Sequence, residues 1–398
     1  MNKRKNLLLD LGTQPLVNNL CMSKDEALKI EQYPLRANFT EDLKISLDTE
    51  IPPHILYKNY YYHSGVSLPY IKHCEKMYST FKHLKPKVFI DIGGNDGTLL
   101  KTFKKIREEN GEDIENNYRN RYINVDASES FAISNRKEDI EYVNEFFSDK
   151  IDLPKADIIT STNVFQHTKD IDSFLRGIVK HLDGVWILEF PYTLTTLETL
   201  QFDQFYHEHY YYWLITPLEK LFKIYGLKII HISEQKIHGG SLRIWSTNKT
   251  PSAPEVTDAI TYYKRKEASL ELKIFDSRVK DFIANTKNYL CNLTGKSVFF
   301  GAAAKGCVFL NALGITVESM PDSYVIDDTP EKQGFYLPGT GFEICSRNIL
   351  EADNVENIII LSHNFKDYIA NSLRNPIGGG KHFEGKIISL IPKIQLHE

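Results

Sequence analysis

Three stretches of this chain gather side chains whose types and spacing can do chemistry. The first is DIGGNDG, Asp91–Gly97, in which a carboxylate closes an apolar run and Gly93, Gly94 and Gly97 surround the pair Asn95–Asp96. Glycines at such a turn let the backbone approach a ligand and take φ > 0. The spacing is not G-x-G-x-x-G, where a dinucleotide pyrophosphate sits on a helix N-terminus. Asp91 and Asp96 would repel a pyrophosphate and suit instead a cofactor carrying an ammonium group. Asp126, closing the next apolar run, is placed to accept hydrogen bonds from ribose hydroxyls. It lies 29 residues past Gly97 where about 20 is usual, and the polar insertion Arg107–Arg119 accounts for the excess. A cationic, ribose-bearing cofactor is S-adenosylmethionine. The structural alternative is a plain strand–helix turn with a capping aspartate.

The second stretch, FDQFYHEHYYYW (Phe202–Trp213), brings Tyr206, His207, Glu208 and His209 together. On a strand His207 and His209 would share one face; in a loop all four can converge. Histidine is the one side chain whose unperturbed pKa makes it a base near neutral pH. A carboxylate beside it can fix its tautomer, and general acid–base catalysis of this kind is worth about 10²–10⁴ in rate. A metal held by the two histidines and Glu208 would need a further spaced ligand that is not evident. Packing of aromatic and imidazole rings beneath a sheet is the structural alternative. The third stretch, HGGSLR (His238–Arg243), sets a histidine beside two glycines. There either a substrate touches backbone or a tight turn enters a strand.

The elements that must position these groups follow from periodicity. Lys87–Leu100, Tyr122–Asp126, Ala156–Val164 and Gly184–Phe190 read as buried strands, the first running through its glycine turn into a helix. That order is the rhythm of a doubly wound α/β domain. Ile171, Phe174, Leu175, Ile178, Val179 and Leu182 form one helical stripe, opened by Thr168 and Asp170 and ended by Gly184. Pro217–Gly226 reads as a helix with proline near its start and glycine past its end. Leu227–Ile232 and Leu242–Ser246 pair as antiparallel strands closing the sheet, and Pro251–Asn292 reads as one long connecting helix. A second α/β rhythm follows in VFFGAAAKG (Val298–Gly306), SYVIDD (Ser323–Asp328) and NIIILSHNF (Asn357–Phe365).

Composition excludes several classes. At 398 residues the chain is long enough for two or three domains. Forty-eight basic against 52 acidic residues, a net charge of −4 spread along the chain, provide no concentrated basic face for nucleic-acid phosphates. No apolar run reaches the 18 residues of a membrane helix. The amino-terminal run stops at three leucines, short of the roughly 7–15 of a signal peptide, so a cytosolic chain without membrane contact is expected. Five scattered cysteines, Cys21, Cys74, Cys291, Cys307 and Cys345, never spaced C-x-x-C, indicate neither a disulfide frame nor a cysteine zinc site.

Taken in order, these motifs resemble the S-adenosylmethionine-dependent sugar C-methyltransferases, which methylate a carbon beside the keto group of a nucleotide-linked 4-keto-deoxysugar. The matches are LDLGTQPLVNNL near the start, the YYYHS cluster, DIGGNDG, NVFQHTKDIDSFLRGI, EFPY, QFDQFYHEH, HGGSLR, GAAAKG and DDTPEKQGFYLPGT. The resemblance implies an α/β fold: a central Rossmann-like methyltransferase domain and a second Rossmann-like domain, with a small irregular amino-terminal lobe. The boundaries expected are 1–70 for a substrate-binding lobe, 71–250 for the cofactor domain, and 251–398 for the linker helix and sugar-nucleotide domain. Asp91, Gly93, Asn95, Asp96, Gly97, Asp126 and Asn163 are expected about the cofactor. His209 is the implied base that removes the α-proton, with Tyr206, Glu208 and a tyrosine of the aromatic motif, Tyr60 or Tyr62, as catalytic neighbours. His63, His207, His238, Arg243, Lys305, Lys332 and Tyr336 are the expected substrate contacts, Lys305 meeting a diphosphate at a helix start.

Two departures stand out. The family's paired amino-terminal zinc cysteines are missing, FTED (Phe39–Asp42) standing where the second pair belongs, so no metal is expected. His363 in LSHNF stands where many relatives place an aromatic. Other functions remain open at this level: an O-methyltransferase using the same histidine on a hydroxyl, a non-catalytic nucleotide-binding partner, and, more remotely, a nicotinamide oxidoreductase. A monomer or small homo-oligomer is expected.

Overall fold

The computed structural model of the chain describes residues 6–56, 68–112, 120–250, 256–376 and 382–397. The chain divides into two compact units, one of Met1–Tyr61, Thr193–Tyr210 and Leu270–Glu398, the other of Tyr62–Tyr192 and Tyr211–Ser269. No helix among the described residues is long and apolar enough to cross a membrane.

The first unit begins with strands β1 (Asn6–Pro15), β2 (Gln32–Phe39) and β3 (Ile45–Leu47), paired antiparallel in that order. Leu35, Ala37 and Phe39 are buried and Arg36 is exposed, the two-residue alternation of a half-buried strand. The expected irregular lobe is thus a small antiparallel ribbon. Register shifts at Leu7/Leu9 and Asp10/Thr13 break the alternation by which β1 would announce itself.

The second unit carries α1 (Leu68–Phe81), β4 (Val88–Ile92), α2 (Thr98–Glu109), β5 (Arg121–Val125), β6 (Glu141–Val143), β7 (Ala156–Thr162), α3 (Ile171–His181), β8 (Leu182–Pro191), α4 (Ile215–Ile224), β9 (Lys228–Gln235), β10 (Ser241–Thr247) and α5 (Thr257–Ala268). Its seven-stranded sheet runs β9-β10-β8-β7-β4-β5-β6 among the described residues. β8 through β6 are parallel, and the hairpin β9–β10 is added antiparallel. Strand order reverses at β4, between β7 and β5. Such a switch point opens a crevice at the carboxyl ends of the strands. Phe81 meets Phe103 edge to face, both rings tilt against Phe89, and Tyr122 stacks on Phe89 at 5.1 Å.

The Asp170 carboxylate caps α3 by accepting from the Ser173 amide at 3.0 Å. The helix ends at His181, so Gly184 does not stop it as expected. It lies inside β8, where an added Cβ would meet the Asp157 carbonyl at 2.1 Å and where β7 and β8 shift register.

The rest of the first unit comprises α6 (Phe275–Cys291), β11 (Ser297–Phe300), α7 (Ala304–Leu313), β12 (Val325–Ile326), β13 (Ile344–Cys345), β14 (Asn357–Ile360), β15 (Lys386–Ser389) and β16 (Gln395–His397). The sheet order is β13-β12-β11-β14-β15-β16, parallel except for β16. Val298, Phe300, Ile326, Ile358, Ile360 and Ile387 form its core with Ile369 and Leu373. The single connecting helix expected over 251–292 is two helices, broken between Ser269 and Ile274. The break has a packing cause. Glu267 is buried in the second unit, where its carboxylate accepts from the Ile215 and Thr216 amides at the start of α4, whereas Leu272 and Phe275 are buried in the first.

Candidate active site

In the second unit the turn after β4 stands at the switch point. Asp91 is buried and accepts from the Thr160 hydroxyl at 2.7 Å. Burial pushes its carboxyl up to about 7, with repulsion from Asp126 adding to the shift. The Gly93 amide donates to the Val125 carbonyl at 2.7 Å. Gly97 takes φ +80° at the start of α2, and a Cβ there would fall 2.2 Å from Asn135 Oδ1. Asn95 (φ 54°) donates its amide to Asp126 Oδ2 at 2.9 Å. Asp96 Oδ1 accepts the Thr98 amide and hydroxyl and so caps α2. Asp126 also accepts from the Ser128 amide at 2.9 Å, and burial raises its pKa. Two amides therefore hold this carboxylate, which retains acceptor capacity for further donors.

Asn124, Asn135 and Asn144 carry no local sequence signal, whereas Asn163 is one of the residues expected. Buried Asn124 and Asn135 both donate to the Asn95 carbonyl, at 3.0 and 3.3 Å, and bond to each other. Asn144, just past β6, donates to the Asp126 carbonyl at 3.0 Å, and Phe146 beside it is 65% exposed. Asn163 sits at φ 57° past β7, its amide bound to the Glu189 carbonyl at 2.8 Å. Its side-chain oxygen is buried without a hydrogen-bond partner among the described residues, a cost that a ligand donor would relieve. Two strained asparagines, a glycine cradle and three carboxylates form an acceptor-rich crevice that fits a ligand with an ammonium group and ribose hydroxyls.

Arg243 points elsewhere. It is buried and spends its guanidinium on Glu189 Oε2 at 2.8 Å and His73 Nε2 at 2.9 Å, with His73 also 2.7 Å from Glu189. Burial works against the Glu189 charge, but His73 and Arg243 outweigh it and hold the carboxyl below its usual range. His238 occupies a left-handed position (φ 54°) in the turn that enters β10, so the tight-turn reading describes its backbone.

The histidine segment belongs to the first unit. It is a turn and not a strand, because the His209 amide folds back to the Tyr206 carbonyl at 2.9 Å. His209 is buried, its Nδ1 3.0 Å from the Gln204 carbonyl and its ring 4.0 Å from the Tyr206 ring. A carbonyl only accepts, so Nδ1 carries the proton and Nε2 the basic lone pair. Glu208 Oε1 accepts from Asn18 Nδ2 at 2.5 Å, and burial lifts its carboxyl to about 7. Asn18 lies in the LVNNL motif. His207 faces away from this group: its Nε2 is 3.2 Å from the Pro34 carbonyl, and burial lowers its pKa.

Also in the first unit, Lys305 lies in the first turn of α7, half-buried. Lys332 Nζ donates to the Ala302 carbonyl at 2.9 Å and stands 3.8 Å from Asp327. Tyr336 pairs its backbone with Cys21 in both directions, at 3.0 and 2.8 Å. His363 packs edge-on against Phe309 at 5.1 Å, and burial pushes it down to about 3. A neutral ring thus packs where the resemblance leads one to expect an aromatic. Tyr60, Tyr62 and His63 lie outside the described residues.

Comparison with known proteins bears on both units. Residues 73–232 match the family model of a methyltransferase domain, and residues 236–392 match that of a C-methyltransferase C-terminal domain. The C-methyltransferase NovU of Streptomyces niveus is 24% identical over 401 residues, covering 94% of this chain and 91% of that protein. Among solved structures, an S-adenosylmethionine-dependent methyltransferase from Clostridium acetobutylicum aligns with 45% of this chain and 92% of its own, at 10% identity and a TM-score of 0.36. Magnesium protoporphyrin IX methyltransferase from Synechocystis, with bound S-adenosylhomocysteine, aligns with 45% of this chain and 81% of its own, at 12% identity and a TM-score of 0.34.

Proposed function

We propose, from the premise that this chain belongs to the S-adenosylmethionine-dependent C-methyltransferases, that its methyl acceptor is the carbon α to the keto group of a nucleotide-linked 4-keto-deoxysugar. Asp91, Asn95, Asp96, Gly97, Asp126 and Asn163 hold the cofactor in this reading, Asp91 facing its ammonium group and Asp126 its ribose. When bound, the cofactor supplies an electrophilic methyl group on a sulfonium centre.

The chain's own residues supply the proton chemistry. His209 Nε2 takes the α-proton, and the C–H electron pair moves into an enolate whose oxygen needs a hydrogen-bond donor. Tyr206, in ring contact with His209 at 4.0 Å, is the phenol that serves as this donor. Glu208, poised near 7, gives or takes a proton at working pH. The observation that carries this reading is the Nδ1 contact of buried His209 with the Gln204 carbonyl. It makes Nε2 the basic nitrogen without any need for a partner carboxylate. The name of the relative NovU supports carbon over oxygen as the acceptor.

Mass spectrometry and NMR of reactions with a panel of nucleotide-linked 4-keto-sugars, run in D₂O, test the proposal. The expected result is a gain of one methyl at the α-carbon, with solvent deuterium entering that carbon in unreacted sugar. Methyl on oxygen, or no transfer to any keto-sugar despite cofactor binding, overturns it.

A further inference from the structure

We propose that Asn18 is a positioning residue for Glu208, partnering its side chain both as carboxylate and as carboxylic acid, so that Glu208 changes its protonation state in place. This rests on the reading of Glu208 as a group that exchanges a proton in the reaction.

Asn18 stands in the turn that follows β1. The Asn19 amide donates to the Leu16 carbonyl at 3.1 Å and closes that turn, and Leu16 and Val17, both buried, anchor it. An asparagine in a turn commonly spends its side chain on the backbone nearby. Asn18 does not: its Nδ2 donates to Glu208 Oε1 at 2.5 Å, across 190 positions of sequence. Glu208 is 4% exposed, and Asn18 is the one hydrogen-bond partner of its side chain among the described residues. The titratable groups about it supply no fixed cation. His207 turns Nε2 to the Pro34 carbonyl, His209 turns Nδ1 to the Gln204 carbonyl, and Tyr206 lies against the His209 ring. The Tyr210 phenol, kept neutral by burial and by the charges of Glu50 and Glu208, donates to the Ile51 carbonyl at 2.8 Å.

Burial favours the acid form of Glu208, and the Asn18 donor favours its carboxylate. A primary amide can serve either form. Its NH₂ gives a hydrogen bond to the carboxylate, and half a turn about the Cβ–Cγ bond presents Oδ1 to the O–H of the acid. Leucine would serve neither form. Aspartate would serve only the acid, holding one proton between two carboxyls.

The test titrates Glu208 in the unmodified full-length protein, in Asn18→Leu and in Asn18→Asp. Carboxyl ¹³C NMR reads Glu208, assigned with Glu208→Gln, and side-chain amide ¹⁵N NMR reads Asn18, assigned by its loss in Asn18→Asp. In the unmodified protein both signals should titrate with one midpoint. Asn18→Leu should raise the Glu208 midpoint by about one pH unit, a tenfold gain in proton affinity, and Asn18→Asp should raise it further. The limb of the kcat–pH profile that Glu208 sets should move with it, while KM stays within about threefold. Lost packing alone would lower the melting temperature and leave the midpoint where it was. Asn18→Asp, nearly isosteric, decides the matter if Asn18→Leu fails to fold. An Asn18 amide that does not follow Glu208, or a midpoint unmoved in Asn18→Asp, overturns the inference. Absence of turnover on keto-sugars in the unmodified protein would sink the reaction reading alone, since the two titrations need no substrate.

Discussion

Substituting alanine at the two ends of α2 separates backbone strain from the architecture of the cofactor turn. Gly97 (φ +80°) precedes the helix and Gly111 (φ +69°) follows it, so both substitutions force an L-residue into the left-handed region, at about 1–2 kcal/mol. Alanine also restricts the unfolded chain equally at both, returning about 0.4–1 kcal/mol. The difference lies in what the new methyl meets. At Gly111 nothing among the described residues lies within 4 Å; at Gly97 the Cβ would fall 2.2 Å from Asn135 Oδ1. Asn135 is fully buried and bonds to Asn124, to the Asn95 carbonyl and to the Phe131 carbonyl, so displacing it breaks hydrogen bonds in a place water does not reach. Each is worth roughly 1 kcal/mol, and more where a buried group is left unmatched. Gly97→Ala is therefore expected to cost about 3 kcal/mol and Gly111→Ala about 1 kcal/mol. For a unit of this size these correspond to melting shifts of about 6–12 °C and 2–4 °C. Because Asn135 supports the Asn95 backbone, calorimetric titration should show S-adenosylmethionine binding at least about 10-fold more weakly to Gly97→Ala and unchanged to Gly111→Ala. Equal thermal losses in the two variants, or a normal affinity in Gly97→Ala, would refute the cradle.

Three further outcomes are expected. Asp126→Ala should weaken S-adenosylmethionine binding by about 1–3 kcal/mol by calorimetry, because it removes the ribose acceptor and releases the Asn95 and Ser128 amides; an unchanged constant would misplace the ribose. His209→Asn should leave cofactor affinity nearly intact and lower turnover by about 10²-fold or more; surviving turnover would put the base elsewhere. The raised carboxyls of Asp91 and Glu208, each near 7 against 3.8 and 4.5 unperturbed, make the fold hold protons that the unfolded chain has lost across that window. Stability of the cofactor-free protein should therefore fall as pH rises from about 4 to 7 and level off above it. Cofactor affinity should rise over the upper part of the same range, as Asp91 ionises opposite the ammonium group. Thermal melts across pH check the first, and a flat pH dependence of binding in Asp91→Asn checks the second.

Much of the candidate cofactor site was legible as local structure because its signals are local. An apolar run, a glycine turn and a terminal carboxylate are adjacent in DIGGNDG, and Asp126 is marked by the strand it closes. Asn124 and Asn135 were not legible, since each acts on Asn95 from 29 and 40 residues away and a buried asparagine looks like any other in a sequence. Gly184 misled because a glycine after a helical stripe reads as a stop, while its cause here is a close approach by the neighbouring strand. His207 and His209 sit two apart, but a turn and not a pleat separates them, so spacing could not tell their opposite orientations. Arg243 and Lys332 are contacts that the resemblance implies, and no local signal shows what they pair with in the fold. Their partners Glu189, His73, Ala302 and Asp327 are supplied by the fold, as is the grouping of Thr193–Tyr210 with residues beyond 270.

That grouping has a consequence for the order in which the working parts come into being on the ribosome. Residues 62–192 and 211–269 contain every segment of the second unit, the one proposed to bind the cofactor. The segment bearing His209 is translated in the middle of that span, yet its unit also takes in Leu270–Glu398. At roughly 5–20 residues per second that stretch takes about 6–26 s to synthesise. For about the first 2–9 s of it, until Leu313 is made, the nascent chain holds a complete sequence for the second unit while the turn before the proposed base lacks α7, on whose Phe309 its Phe202 stacks at 5.5 Å. In the proposed reading, competence to bind the donor thus precedes competence to remove the proton, and the elements translated after Ser269 set the delay between them.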